Sequence, residues 1–379
     1  MFSRRLTAPT STTLLLGPRA TGKSTWLEQV LPDAHRWDLL DTRVALELAR
    51  DPSTLARQVS ALPRGAWVVI DEVQKVPAVL DEVHRLDGKQ GRRFVLSGSS
   101  ARKLKRGGAN LLAGRALRKD MFPLVSAEIG APLSLERVPF GCLPRVVTAD
   151  TPQPYLEAYV DTYIREEVQA EALTRNIGGF ARFLEVAARQ NGQVSNTTNI
   201  ARDAQVARQT VQGYFDVLVD TLLGFWLPAW KLKRATKLVV HPKFYFFDAG
   251  VARALTGRLA YPPTPEEFGF LFETFMLGEL RAFLSYSGLS YPPQFFRTHD
   301  AVEVDVMLET RKDFLAIEIK SAPTWHKTAA AGFRRLRDEL PKVKCVGVFT
   351  GDRRQSHDGY DVWPYGEFLK ALWDGKIIA

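Results

Sequence analysis

Apolar residues fall along this chain in two alternating rhythms. Unbroken runs of strand length, Leu14-Leu15-Leu16, Trp67-Val68-Val69-Ile70 and Phe94-Val95-Leu96, are separated by stretches whose apolar residues recur at helical spacing, such as Trp26, Leu27 and Val30. Unbroken runs imply strands buried on both faces, and their alternation with helices predicts a parallel α/β sheet. Past residue 150 the rhythm becomes helical. Helices are predicted over 152–173 and 179–190, the second stopped by Asn191-Gly192, and then over 197–203 and 207–220. A strand pair is expected within 225–247, followed by a linker at Pro262, Pro263 and Pro265. The remainder predicts an amphipathic helix over 267–286, strands over 302–308 and 314–320, a helix over 329–340, a strand near 348–350 and a last helix over 366–373.

The first apolar run leads into the most chemically specific stretch, Gly17-Pro18-Arg19-Ala20-Thr21-Gly22-Lys23-Ser24-Thr25. A strand, a glycine-flanked turn and a helix opening on lysine form the P-loop spacing. The glycines let successive backbone N–H groups curl toward phosphate oxygens, and the helix presents its positive end to the same anions. Lys23 would reach the β- and γ-phosphates of ATP, and the Ser24 hydroxyl would ligate Mg2+. The second run delivers Asp71 and Glu72 at its carboxyl end, where open α/β sheets bind ligands. Asp71 suits the magnesium shell, and Glu72 suits the water that attacks the γ-phosphate. The third run ends in Ser97-Gly98-Ser99-Ser100, where Ser97, or else Ser99, could sit between phosphate and water. Arg102, Lys103, Lys105, Arg106, Arg115, Arg118 and Lys119 then make a dense basic stretch, of which Arg115 is the arginine-finger candidate.

Composition narrows the picture. At 379 residues the chain is too long for one core, and its formal net charge of +9 suits an acidic partner, nucleic acid before anionic membrane. Cys142 and Cys345 stand alone, which excludes a disulfide framework or a cysteine-rich zinc site and fits a reducing cytoplasm. The apolar runs are too short to span a membrane, and no signal-peptide core precedes the first strand; no membrane partner is expected.

In their order, LLLGPRATGKST, WVVIDEVQKVP, FVLSGSS, LLAGRA and FPLVSAEI resemble the prokaryotic AAA+ ATPases that carry a C-terminal domain of formerly unknown function. The resemblance continues through GCLPRVV and YVDTYIREEV and covers essentially the whole chain. It implies an AAA+ P-loop NTPase core acting as a ring of like subunits, expected as a homo-hexamer, with ATP sites at subunit junctions. The Walker A residues would be Gly17, Gly22, Lys23 and Ser24, and the Walker B residues Asp71 and Glu72. No sensor-2 arginine is identified.

The middle segment reads as a winged helix. Ile200, Ala201, Val206, Val211, Phe215 and Leu218 fall where a helix-turn-helix needs small or apolar contacts, although Gln205 stands where a glycine often marks the turn. Arg208, Gln209, Thr210 and Gln212 would face a DNA groove, with Lys231, Lys233, Arg234, Lys237 and Lys243 on a basic wing; a protein-contacting wing is the alternative. In the last segment, alternation puts Glu318 and Lys320 on one strand face, where Asp305 of a neighbouring strand could join them. The spacing resembles the PD-(D/E)XK nuclease fold, with Glu273 as the helix acid and a candidate second Mg2+ site at Asp305 and Glu318. An AAA+ ATPase domain over 1–128, a winged-helix domain over 129–260 and a nuclease-like α/β domain over 261–379 are expected. Three functions remain open: a DNA-dependent ring motor on duplex or branched DNA, an ATP-gated nuclease, and a nucleotide-controlled binding switch.

Overall fold

The computed structural model describes residues 2–100, 114–164, 176–230, 241–340 and 342–378. Two compact units divide the chain: one is Arg4–Phe122 with Val217–Leu223, the other Met1–Ser3, Pro123–Asp216 and Gly224–Ala379.

The first unit is built on the three apolar runs, which become β1 (Thr13–Leu16), β3 (Trp67–Asp71) and β4 (Arg93–Gly98). With β2 (His35–Asp38) and β5 (Leu117–Asp120) they form one sheet in the order β2-β3-β4-β1-β5, every pairing parallel. Helices α1 (Lys23–Val30), α2 (Thr42–Arg50), α3 (Ser53–Ser60) and α4 (Val79–Leu86) connect the strands. Helix α4 carries Val79, Leu80, Val83 and Leu86 on its buried stripe, with Asp81 and Glu82 in its first turn and Arg85 in its last. That charge order complements the helix dipole. Leu16, Leu48, Leu55, Val59, Val68, Ile70, Phe94 and Leu96 close a single core. Each such side chain contributes about 1.5–3 kcal/mol on full burial. Because β4 lies between β1 and β3, the end of β4 is carried between the P-loop and the acid pair.

The second unit begins with short helical pieces. Of the long helix expected over 152–173, the described part is the helix Gln153–Ala158 continued by a π-helical turn, Tyr159–Ile164; residues 165–175 lie outside the described ones. Helix α5 (Ile177–Arg189) starts two residues before the sequence expectation because the Asn176 side chain accepts the Gly179 N–H at 2.8 Å. Helix α6 (Thr197–Asp203) is capped in the same way by Asn196, and α7 (Arg208–Asp220) follows across a turn in which Gln205 has φ +54°. The hairpin of β6 (Gly224–Leu227) and β7 (Lys243–Phe246) is antiparallel. Rings join it to the helices: Phe215 of α7 lies 4.7 Å from both Trp226 and Phe244, and 4.9 Å from Phe183 of α5.

The last segment opens on α8 (Pro265–Tyr286). Its start is fixed by a Thr264–Glu267 capping box with Pro265 in the first turn. A mixed six-stranded sheet follows, in the order β12-β13-β11-β10-β9-β8. Its strands are β8 (Gln294–Arg297), β9 (Glu303–Glu309), β10 (Phe314–Lys320), β11 (Lys344–Phe349), β12 (Gln355–His357) and β13 (Tyr360–Pro364). Helix α9 (Ala331–Glu339) joins β10 to β11, which run parallel, and α10 (Tyr365–Trp373) follows β13. Leu227 and Tyr245 of the hairpin share one core with Phe272, Leu280, Ile317 and Leu369. Among the described residues no helix is long and apolar enough to cross a membrane.

Candidate functional site

At the carboxyl end of β1 the chain turns through Gly17 and enters α1 at Lys23. A Cβ on Gly17 would meet the Met121 carbonyl oxygen at 2.5 Å, so this position admits no side chain. Ala20 and Gly22 take the left-handed region, at φ +61° and +89°, and Thr21 donates to the Pro18 carbonyl at 2.8 Å. Arg19 is half-buried, while Ser24 and Thr25 are exposed at the head of the helix. The Lys23 ammonium folds back over the loop, donating to the carbonyls of Gly17 (2.8 Å) and Pro18 (3.1 Å). Arg4 braces the loop from below through the carbonyls of Thr21 and Phe122, each at 2.6 Å.

The ends of β3 and β4 complete the array. Ser24 donates to Asp71 Oδ2 at 2.5 Å, and the Ser97 hydroxyl donates to Asp71 Oδ1. Glu72 is buried and sits in the left-handed region at φ +55°, a strained conformation for a residue with a Cβ. Its Oε2 accepts from the Gln74 amide and from Ser99 Oγ (3.2 Å), and the same amide reaches Ser99 at 3.0 Å. Each of the two serines left open by the sequence therefore has its own acid: Ser97 touches Asp71, and Ser99 touches Glu72. Gln74 and Arg4 were not singled out from the sequence. Gln74 lies two residues past Glu72 within one short turn, which was the available signal; Arg4 gave none. The residues fit a polyphosphate and its magnesium: an ammonium, a glycine-flanked loop at a helix head, and a Ser24–Asp71 pair that could share one cation.

Arg115 is exposed and donates to the His84 carbonyl at 3.0 Å. On α7, Arg208, Gln209 and Gln212 are exposed and Thr210 half-buried; Arg208 also reaches the Thr197 hydroxyl at 3.3 Å. Lys231, Lys233, Arg234 and Lys237 lie outside the described residues. Lys243 does not belong with them. It is 3% exposed at the start of β7, its ammonium bonded to Glu303 Oε1 and 3.2 Å from Glu273 Oε1, so it is unavailable to a DNA phosphate.

The sequence-expected acidic centre does assemble. Strands β9 and β10 are antiparallel neighbours, and Lys320 lies 2.5 Å from Glu318 Oε1 and 3.7 Å from Asp305 Oδ2. The same Asp305 oxygen accepts the Ile319 N–H at 2.7 Å. Burial drives the Glu318 carboxyl well above the usual carboxylate range, with Asp305 adding to the rise. Glu273, however, is held by Lys243 and by the Tyr245 hydroxyl. Among the described residues no three Asp, Glu, His or Cys side chains converge so as to hold a metal ion. Of the residues expected for a second Mg2+ site, Asp305, Glu318 and Lys320 are thus brought together, while Glu273 pairs with Lys243.

Comparison with known proteins matches three parts of the chain to family models. Residues 10–130 match the family model of an AAA domain. Residues 134–260 and 268–368 match two domains of unknown function, DUF8612 and DUF4143. The chain is 26% identical over 351 residues to the uncharacterized protein Rv2008c of Mycobacterium tuberculosis, covering 90% of this chain and 77% of that protein. The same identity and coverage hold for the uncharacterized protein Mb2031c of Mycobacterium bovis. Among solved structures, the Orc1 protein of Aeropyrum pernix in complex with DNA is similar at 12% identity and a TM-score of 0.30, over 66% of this chain and 87% of that one. Can2 of Sulfobacillus thermosulfidooxidans, in complex with cyclic tetra-adenylate, gives 12% identity and a TM-score of 0.23, over 97% of this chain and 100% of that one. Neither likeness is close enough to carry an argument.

Proposed function

We propose that this chain is a DNA-dependent AAA+ ATPase that works as a ring-shaped motor, translocating along, branch-migrating or remodelling DNA. The observation that carries the reading is the array Lys23, Ser24, Asp71, Glu72, Ser97 and Ser99 at the carboxyl ends of three adjacent parallel strands. Its parts divide the work of phosphoryl transfer. Backbone N–H groups of the loop between Pro18 and Thr25 cradle the phosphates, and Lys23 swings from its carbonyl partners to the β- and γ-phosphates. A magnesium ion bound with ATP would be held by Ser24 and Asp71 and would supply charge neutralisation between those phosphates. Glu72, oriented by Gln74 and Ser99, accepts a proton from the attacking water, while Ser97 fixes the Asp71 carboxylate. Arg115 serves a neighbouring subunit's site in a ring, expected as a homo-hexamer.

We take the chain as an AAA+ domain over 1–128, a winged-helix domain over 129–260 and a PD-(D/E)XK-like domain over 261–379, the last two built on a shared core. The α6–α7 pair, with Arg208, Gln209 and Gln212 outward, supports DNA contact, to which Lys231, Lys233, Arg234 and Lys237 would add phosphate contacts. An ATP-gated nuclease is the alternative reading, with Asp305, Glu318 and Lys320 as its site. Steady-state ATPase measured alone and with duplex, junction and single-stranded DNA tests the proposal. Stimulation by DNA is expected; a slow rate indifferent to all three would favour a nucleotide-controlled switch.

A further inference from the structure

A recess of about 550 Å³ opens where β11 begins, bounded by β13, the segment that leads into β12 and the chain beyond α10. Leu315 of β10 pairs with Lys344 of β11, whereas Lys320 pairs with Phe349, at the other end of the same parallel pair. The mouth at Lys344 is therefore about 16 Å along the strands from Lys320 and the acidic centre. The charged side chains that line the recess are three cations, Lys344, Arg354 and Lys376, against one acid, Asp361. Asp361 is taken by Arg354 at 2.6 Å, and Lys376 pairs with Asp374 at 2.8 Å on the surface. An exposed pair of that kind contributes little, so a phosphate can replace the aspartate at small cost. Lys344, exposed at the head of β11, makes no ion pair among the described residues.

The recess also holds a fixed plane. Trp363 is half-buried against the core that contains Phe368 and Leu372, and the Arg354 guanidinium lies 3.5 Å from the centre of its ring. The indole behind and the Asp361 carboxylate beside it orient this guanidinium, while 46% of the Arg354 side chain stays exposed. We propose that the recess binds a nucleoside phosphate, either one nucleotide of a single strand or a free one. The base stacks on the Arg354 guanidinium, and the phosphates lie on Lys344 and Lys376. Unstacked bases lie on arginine planes as they do on aromatic rings, and such stacking tolerates any base. A recess admits a splayed nucleotide but not a duplex, whose bases are stacked inside. An acidic peptide would meet the lysines and leave the guanidinium plane without a partner. The site goes beyond the proposed motor and stands apart from it, since no residue of the P-loop or of α6 and α7 lines it.

The test measures binding of the full chain, without ATP, to fluorescein-labelled hexathymidylate by anisotropy over a range of salt concentrations. An abasic hexamer of the same backbone serves for comparison. Wild type is expected to bind hexathymidylate at least about fivefold more tightly than the abasic strand, because the base adds a stack. Arg354→Lys keeps the charge and removes the plane, so it should erase that preference and leave the salt slope unchanged. Replacing Lys344 and Lys376 together by alanine should keep the preference and flatten the slope by about 1.4, the value for two phosphates of a single strand. All three side chains are exposed, so both variants should hold the wild-type Tm. Competition with thymidine monophosphate separates the two sources. Displacement as effective as that by unlabelled hexamer assigns the site to a free nucleotide, and much weaker displacement assigns it to a strand; either supports the proposal. Absence of binding by wild type would overturn it. So would a base preference that survives Arg354→Lys, a slope that survives loss of both lysines, or displacement by octaglutamate as effective as by the hexamer.

Discussion

Single residues in the P-loop unit divide binding from turnover. Lys23→Ala removes the loop's ammonium, which in the free protein is parked on the Gly17 and Pro18 carbonyls. It should weaken ATP binding by at least about tenfold, roughly 1.4 kcal/mol, by titration calorimetry. Glu72→Gln should bind ATP as wild type does and lose turnover by about 10²–10⁴-fold, because an amide keeps the shape but accepts no proton. Equal loss of binding in both would contradict the assigned roles. A different carboxyl sets a pH dependence. Glu279 accepts from the Ser126 N–H (2.6 Å) and hydroxyl (3.0 Å) and from the Trp373 indole (2.7 Å). Burial nevertheless lifts its titration to about 7 against those donors. A carboxyl whose folded pKa is raised binds its proton more tightly folded than unfolded. The resulting stabilisation is therefore present at low pH, and stability falls as pH rises from about 4.5 toward 7. Urea unfolding at pH 5 and pH 8 should thus cost wild type up to about 3 kcal/mol more than it costs Glu279→Gln. A parallel pH dependence in the two proteins would reject the claim. Asp71, Glu72 and the P-loop were legible in the sequence because strand, loop and helix are contiguous there. Gln74 against Ser99 was not, since that contact joins the ends of two strands.

Elements were legible where a local signal exists and misread where faces had to be assigned. Helices α6 and α7 fall within a residue of their expected bounds because Asn196 caps one and apolar periodicity fixes both. Their turn carries a testable strain: Gln205 holds φ +54°, a region that costs residues with a Cβ about 1–2 kcal/mol. After allowing for glycine's unfolded-state entropy, Gln205→Gly should raise stability by about 0.5–1 kcal/mol, read as a higher urea midpoint with unchanged slope. The hairpin was found as a strand pair, but its lysines were all given to one basic surface. A ribbon with one solvated face alternates; β7 is buried at all four positions because aromatics of α5 and α7 cover one side and α8 and β9 the other. Long-range packing of that kind leaves no period to read. The wing prediction therefore excludes Lys243. Replacing Lys231, Lys233 and Arg234 together by alanine should flatten the salt dependence of DNA affinity by about three, if each meets a phosphate. An unchanged slope would reassign the wing to a protein partner.

At the scale of the whole molecule, Leu227 and Tyr245, which precede the linker at Pro262 to Pro265, close the same core as Phe272 and Ile317, which follow it. Composition reports where the chain turns polar, not which elements later share a core. Assembly lies one level further from the sequence, and it is where Arg115 must be tested. Its guanidinium is exposed, bonded to the His84 carbonyl at 3.0 Å. An exposed fork of this kind is what a site on another subunit needs to meet charge developing on the transferred phosphoryl group. Arg115→Ala should therefore leave ATP affinity unchanged and reduce turnover by about 10³-fold or more in the assembly. Glu72→Gln is inactive for the opposite reason, lacking its own base while offering an intact finger to its neighbour. Mixed in equal amounts and allowed to exchange subunits, the two variants generate some junctions that pair an intact Glu72 with an intact Arg115 from different chains. Those junctions should restore turnover above the sum of the separate variants, with a dependence on mixing ratio that peaks between the pure states. A mixture that never exceeds that sum, under conditions where exchange is verified, would place Arg115 outside the neighbour's site and confine catalysis to residues of a single chain.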